Sequence, residues 1–160
     1  MKTIKFRGKR CDDGEWVYGY YARLRNEFKE WHCIMTEKDA SENYIKDCNG
    51  YNMLYTPVNH NTVGQFTGLY DKNGEEIYEG DILLWTRKNV HIEGRPLRDF
   101  ADRCEIFYDD DYYAFRFKYK LDCGSCIGLL DFSDDRADES YIEVIGNIHD
   151  NPELLKGEKQ

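Results

Sequence analysis

The chain has 160 residues, 41% of them hydrophobic and 33% charged, which is enough apolar mass for a core and close to the usual size of one domain. A mean hydropathy of -0.80 and the lack of any apolar run of bilayer length exclude a helical membrane protein. A formal net charge of -9 with a pI near 4.9 argues against a general nucleic-acid binder, whose affinity comes from neutralising phosphates, but leaves room for a local basic patch.

The expected organisation is one domain over residues 1–155, or two small halves of about 1–62 and 63–155, followed by a disordered tail at 156–160. The segment Met1 to Lys5 carries charge with no apolar stretch behind it, so no secretory signal is expected and the cytoplasm is the expected location. The six cysteines, Cys11, Cys33, Cys48, Cys104, Cys123 and Cys126, are accordingly expected to be reduced, most of them as small core residues.

Residues 2 to 21 predict a hairpin. A basic segment with Lys2, Lys5, Arg7, Lys9 and Arg10 leads into the turn Asp12-Asp13-Gly14, after which Trp16, Tyr18 and Tyr20 recur with a period of two. The favoured expectation is that these rings cover a sheet face, since aromatic residues are enriched in strands. An exposed stacking platform is the sharper alternative. From Ala22 to Pro57 the pattern weakens to a possible strand at His32 to Met35 and a short segment ending at Tyr55. Trp31-His32-Cys33 invites a Cys/His reading, but neighbours on a strand point to opposite faces and no orienting carboxylate is identifiable, so no catalysis is expected there.

Between Val63 and Trp85 two turn signals separate three apolar segments. Asn73-Gly74 supplies the positive φ that a hairpin turn requires, and Glu79-Gly80-Asp81 releases the chain into Ile82-Leu83-Leu84-Trp85, too short for a helix and read as a buried strand. The next segment, Thr86 to Arg98, is read as a Gly/Pro-marked loop. Its cations Arg87, Lys88, Arg95 and Arg98 are a candidate contact surface.

Residues 103 to 121 give the clearest alternation, with a turn at Asp109-Asp110-Asp111 and then Tyr113, Phe115, Phe117, Tyr119 and Leu121 on one face and Arg116, Lys118 and Lys120 on the other. The three aspartates offer too few oxygens for a complete cation site, and Asp71-Lys72-Asn73-Gly74 fails as a calcium loop because Ile82 stands where its bidentate Glu belongs. Cys123-Gly124-Ser125-Cys126 has the spacing of half a zinc site or a redox pair. No second pair follows, so Cys123 and Cys126 are weak metal candidates and the expectation is a reduced turn with no cofactor. Further strands are read at Ile127 to Phe132 and Tyr141 to Ile148, and Asn151-Pro152 begins a brief helix with Asn151 as its N-cap.

The chain resembles the YopX-like proteins of bacteriophages and prophages at Gly64-Gln65-Phe66-Thr67-Gly68-Leu69, Asp71-Lys72-Asn73-Gly74 and Ile77-Tyr78-Glu79-Gly80-Asp81-Ile82. Lys5-Phe6-Arg7-Gly8 with Gly14 to Tyr20, Glu143 to Ile148, and Asn151 to Leu155 carry the same resemblance. It implies a mostly β fold, a phage origin and hence a bacterial host cell; it carries over no catalytic or binding residues.

Taken together, short strands and turns predict an all-β or β-rich α+β fold, a compact barrel-like antiparallel sheet with a short C-terminal helical turn. The expected role is a phage or prophage accessory protein acting as a non-enzymatic binding module. A small metal- or cysteine-dependent enzyme is the alternative. The expected partners are a second copy of the chain, pairing sheet edges, and a host or phage protein or nucleic acid.

Overall fold

The computed structural model of the chain describes residues 4–35, 45–46, 52–53, 55–90, 98–121, 124–129 and 140–156. They form two compact units, Met1–Gly68 and Leu69–Gln160.

The first unit contains β1 (Phe6–Lys9), β2 (Trp16–Arg25), β3 (Glu30–Met35), the two-residue strands β4 (Ile45–Lys46), β5 (Asn52–Met53) and β6 (Thr56–Pro57), a 3-10 turn at His60–Thr62, and β7 (Gly64–Tyr70), which runs across the unit boundary. Its main sheet is ordered β6-β3-β2-β1-β7, while β4 and β5 pair with each other. The predicted first hairpin is present, with Phe6 opposite Gly19 and Lys9 opposite Trp16. Its turn is closed by Arg10 N–H donating to Glu15 O (2.9 Å) and Glu15 N–H donating to the Asp13 carboxylate (2.9 Å). Gly19 is dictated by close approach, because a Cβ there would lie 1.9 Å from the Met35 carbonyl oxygen. The β2–β3 turn is set by Asn26, whose side-chain oxygen accepts from the N–H groups of Phe28 (2.9 Å) and Lys29 (2.8 Å). Cys33, Ile34, Val58 and Phe66 are buried. Thr62 fastens the 3-10 turn to β1: its hydroxyl accepts from Lys9 N–H (2.8 Å) and donates to Asn59 O (2.7 Å).

The second unit contains β8 (Glu76–Tyr78), β9 (Asp81–Val90), β10 (Arg98–Asp109), β11 (Ala114–Leu121), β12 (Gly124–Leu129), β13 (Ser140–Asn147) and a 3-10 turn at Pro152–Leu155. Its five-stranded antiparallel sheet is ordered β12-β11-β10-β9-β13. The Asp71–Glu75 turn has Gly74 at φ 80°, the left-handed conformation expected of it, with Gly74 N–H donating to Asp71 O (3.0 Å) and Asp71 N–H to Glu75 O (2.9 Å). Ile77, Leu83 and Ile106 form a buried cluster against which Leu69, Phe117, Ile142 and Val144 pack. Asp81 is 1% exposed and accepts from Tyr78 N–H (2.7 Å). That bond stiffens the turn into β9.

Four sequence expectations are corrected. The fold is strand-rich and antiparallel, but among the described residues its sheets are open: β12 and β13 are each paired on one side only, and in the first unit the Arg10–Val58 bridge is isolated and does not lengthen into the ladder that closes a barrel. Thr86 to Val90 belong to β9 rather than to a loop, because β10 and β13 hydrogen-bond to this stretch from either side. Tyr113 is not a strand residue; it sits in the turn at φ 52° and is 83% exposed. The C-terminal helical turn forms as predicted, but Asn151 makes no side-chain cap, its amide lying instead beside Gly146. Among the described residues no helix is long and apolar enough to cross a membrane.

Candidate binding face

Residues opposite one another in antiparallel strands share a face, so the pairs Arg7/Tyr18 and Lys9/Trp16 put the cations of the first segment beside the rings of the second. The Lys5 ammonium lies 5.7 Å from the Tyr18 ring centre, and the Arg7 guanidinium and Lys9 ammonium lie 4.7 and 5.4 Å from the Trp16 ring. Tyr18 and Tyr20 remain 44% and 48% exposed, and Met35, opposite Tyr20 on β3, is 37% exposed. Arg7 is buried, so it stiffens the Trp16 ring rather than reaching into water. About half of each tyrosine therefore faces solvent, with the Lys5 ammonium beside Tyr18. Arg10, next along, is bound to Asp12 and Asp13. Its hydrogen bonds hold the Asp12 carboxyl below the ordinary value.

A second cluster lies at the β2–β3 pairing. The Tyr21 hydroxyl is hydrogen-bonded to His32 Nδ1, His32 Nε2 lies 3.1 Å from Glu30 Oε1, and Glu30 is held bidentately by Arg23 at 2.8 and 2.8 Å. The His60 ring centre is 5.0 Å from that of His32. The Arg23 hydrogen bond keeps the Glu30 carboxyl below its ordinary value, whereas burial pushes the Tyr21 phenol up. Glu30 is thus the orienting carboxylate that the sequence reading did not find. Its signal was present, since Glu30 and His32 are two residues apart and project to one face of β3. Tyr21 became a partner only through the register Arg23 to His32. Each ring nitrogen of His32 already has a partner, and the chain carboxylate–imidazole–phenol is closed on itself.

The sequence-predicted residues are distributed as follows. Arg87 and Lys88 stand on β9 and Arg98 begins β10, with Arg98 paired to Val90 and Phe100 to Arg87 across a register shift; their side chains, and Arg95 altogether, lie outside the described residues. Cys126 stands on β12 opposite Tyr119, its side chain likewise outside, and Cys123 lies outside entirely. Of the other cysteines described, Cys33 and Cys104 are buried and Cys11 is exposed, none in a disulfide. Burial, and then the nearby Cys11, push the Cys33 thiol up. Asp109 is taken up by Arg116 (2.8 Å) and by Asp111 N–H (3.1 Å). No group of three or more His, Cys, Asp or Glu among the described residues is placed to hold a metal ion.

The family model described as YopX protein matches residues 5–156. The chain belongs to the YopX family. The crystal structure of protein EF1440 from Enterococcus faecalis is similar to this YopX chain at 27% identity, covering 97% of this chain and 99% of that one with a TM-score of 0.52. No curated protein matches it.

Proposed function

We propose that this YopX protein is a non-enzymatic binding module, encoded by a phage or prophage and working in the host cytoplasm, that recognises an acidic macromolecular partner through the face built from Lys5, Lys9, Trp16, Tyr18 and Tyr20. The observation that carries this reading is the exposed pair Tyr18 and Tyr20 on one strand, with the Lys5 ammonium laid against Tyr18 and the Lys9 ammonium over the half-buried Trp16. Such pairs are worth about 0.5–1 kcal/mol each at exposed sites, modest for stability but suited to contact where the ring keeps an exposed face, as Tyr18 does. The charge distribution supports it. Residues 1–68 carry ten Lys and Arg against nine Asp and Glu, whereas residues 69–160 carry twelve against twenty-two, so the acidic balance of the whole chain belongs to the second unit's sequence. Phage origin is supported by the family resemblance alone.

The test is capture from host lysate on immobilised protein at low salt, comparing wild type with a Lys5→Gln, Lys9→Gln, Tyr20→Ser variant. Loss of the two cation–π pairs costs about 0.5–1 kcal/mol each, so the variant should melt a few degrees below wild type, stay folded and lose the captured partner. Equal capture by both proteins overturns the reading. A second variant, with Arg87, Lys88, Arg95 and Arg98 all replaced by Gln, shows whether that cationic stretch contributes to the same contact; unchanged capture removes it from the binding surface.

A further inference from the structure

We infer that the turn between β10 and β11 is a second contact surface, one that receives an arginine-rich segment of another protein. The inference is independent of the face proposed above, since every residue it uses belongs to the second unit. Its starting point is a pair of exposed rings. Tyr112 and Tyr113 are 66% and 83% exposed, at the tip of a hairpin whose strands pair from Cys104 opposite Tyr119 to Asp109 opposite Ala114. Two consecutive rings left in solvent make an apolar patch that adds nothing to the core. Tyr113 moreover has φ 52°, a conformation that glycine or asparagine adopts with less strain.

The same turn shows what such a ring can hold. The Arg116 guanidinium lies 4.4 Å from the Tyr112 ring centre and donates to the Asp109 carboxylate at 2.8 Å, so one arginine is already seated between a ring and a carboxylate. Asp109 also accepts from Asp111 N–H (3.1 Å), and its backbone carbonyl accepts from Tyr112 N–H (3.3 Å), which fixes the shape of the tip. Asp110, Asp111 and Tyr113 supply the same chemical set a second time, and all three are exposed. Among the described residues no side-chain hydrogen bond or ion pair occupies that set. A guanidinium from outside can therefore stack on Tyr113 and pair with a neighbouring carboxylate, as Arg116 does with Tyr112 and Asp109.

Charge selects the occupant. Residues 69–160 carry twelve Lys and Arg against twenty-two Asp and Glu, so this unit's field favours cationic partners and repels nucleic acids and anionic lipid surfaces. A divalent cation would leave the rings unused, and no group of carboxylates among the described residues is placed to hold one. Arginine suits the tip better than lysine, because its planar fork stacks on a ring and pairs with a carboxylate at once, whereas an ammonium is a compact and strongly hydrated charge.

The experiment is fluorescence anisotropy on the full chain with a labelled peptide of alternating arginine and glycine, with lysine–glycine and glutamate–glycine peptides of equal length for comparison. The expected result is saturable binding of the arginine peptide that weakens with added salt, weaker binding of the lysine peptide and none of the glutamate peptide. Tyr113→Asn, which relieves the left-handed backbone, should melt no lower than wild type yet weaken binding about two- to fivefold, the change that one exposed ring–cation pair gives. Tyr113→Phe, which keeps the ring, should bind as wild type does. Asp110→Asn with Asp111→Asn should weaken binding by about twofold or more. Glu27→Gln with Glu75→Gln, which removes the same charge at other exposed positions, should leave it unchanged. Wild-type affinity in Tyr113→Asn, a loss in the Glu27/Glu75 variant as large as in the Asp110/Asp111 variant, or lysine or glutamate peptides that bind as tightly as the arginine peptide would each overturn the inference. So would a Tyr113→Asn variant that melts well below wild type, since the ring would then serve the fold. A wild-type dimer that Tyr113→Asn converts to monomer in light scattering would assign the tip to a second copy of the chain and overturn it equally.

Discussion

Asp71 gathers three backbone donors on one carboxylate: the N–H groups of Asn73 (2.7 Å), Glu75 (2.9 Å) and, from β13, Val144 (3.1 Å). Burial alone would raise its carboxyl, but these bonds outweigh burial and hold it below the ordinary 3.8. A carboxyl lowered in the folded state stabilises the fold above its unfolded pKa, and that contribution is lost as pH falls through the folded value. Asp71→Asn should therefore cost about 1–3 kcal/mol near neutral pH, and the gap in melting temperature from wild type should narrow as melts are repeated below about pH 4. A gap that stays constant from neutral pH to about pH 3 would show that the ionised form has no part in it. At this scale the sequence was legible where the chemistry is local. Asp71-Lys72-Asn73-Gly74 announced its turn, and Gly74 has the positive φ expected there, 80°. The Val144 donor was not legible, because it comes from 73 residues away, and neither was the need for Gly19, which arises from the carbonyl of Met35 on another strand.

At the scale of elements, alternation identified the strands whose two faces differ and failed where they do not. The run Thr86-Arg87-Lys88-Asn89-Val90 is polar throughout and resembles a loop, yet it is the end of a strand held between two neighbours, with Arg87 opposite both Phe100 and Ser140. Cross-strand pairing overrides intrinsic preference at such a position. The Tyr21–His32–Glu30 network was half legible for a related reason: spacing within β3 is local, whereas the β2–β3 register is fixed by the Asn26 turn. Cys123 and Cys126 bracket the start of β12, where Leu121 pairs with Gly124 and Tyr119 with Cys126. No second ligand pair stands at zinc spacing in the sequence, so protein purified without chelator should contain no stoichiometric zinc by elemental analysis, and the Cys123→Ser, Cys126→Ser variant should melt close to wild type. About one zinc per chain, lost in that variant together with stability, would reverse this, because structural zinc contributes directly to folding.

For the molecule as a whole, the β-rich class followed from short strands and turns, but closure did not, since an open sheet and a barrel have the same alternation along each strand. What distinguishes them is whether the first and last strands meet, a contact between segments far apart in sequence. Because, among the described residues, β12 and β13 are the outer strands of the second unit's sheet, each paired on one side only, pairing with a second copy of the chain is the proposed way of covering an edge. Size-exclusion chromatography with light scattering should then give a mass at least twice 19.0 kDa, falling towards the monomer on dilution. A monomer mass at high concentration would rule this pairing out.

β9 also sets a timetable. Its one neighbour, β10, follows it directly, but its other neighbour, β13, begins at Ser140, about fifty residues after β9 ends at Val90, so β9 waits through that stretch of synthesis for its second partner. At about 5–20 residues per second that is a delay of several seconds. During it β9 presents a bare edge and Asp71 lacks its Val144 donor. Pairings this distant in sequence are slow to form even in a complete chain, since the loop must close before any contact rewards it. Docking of β13 therefore completes the unit, covering the edge of β9 and satisfying the Asp71 carboxylate in one step.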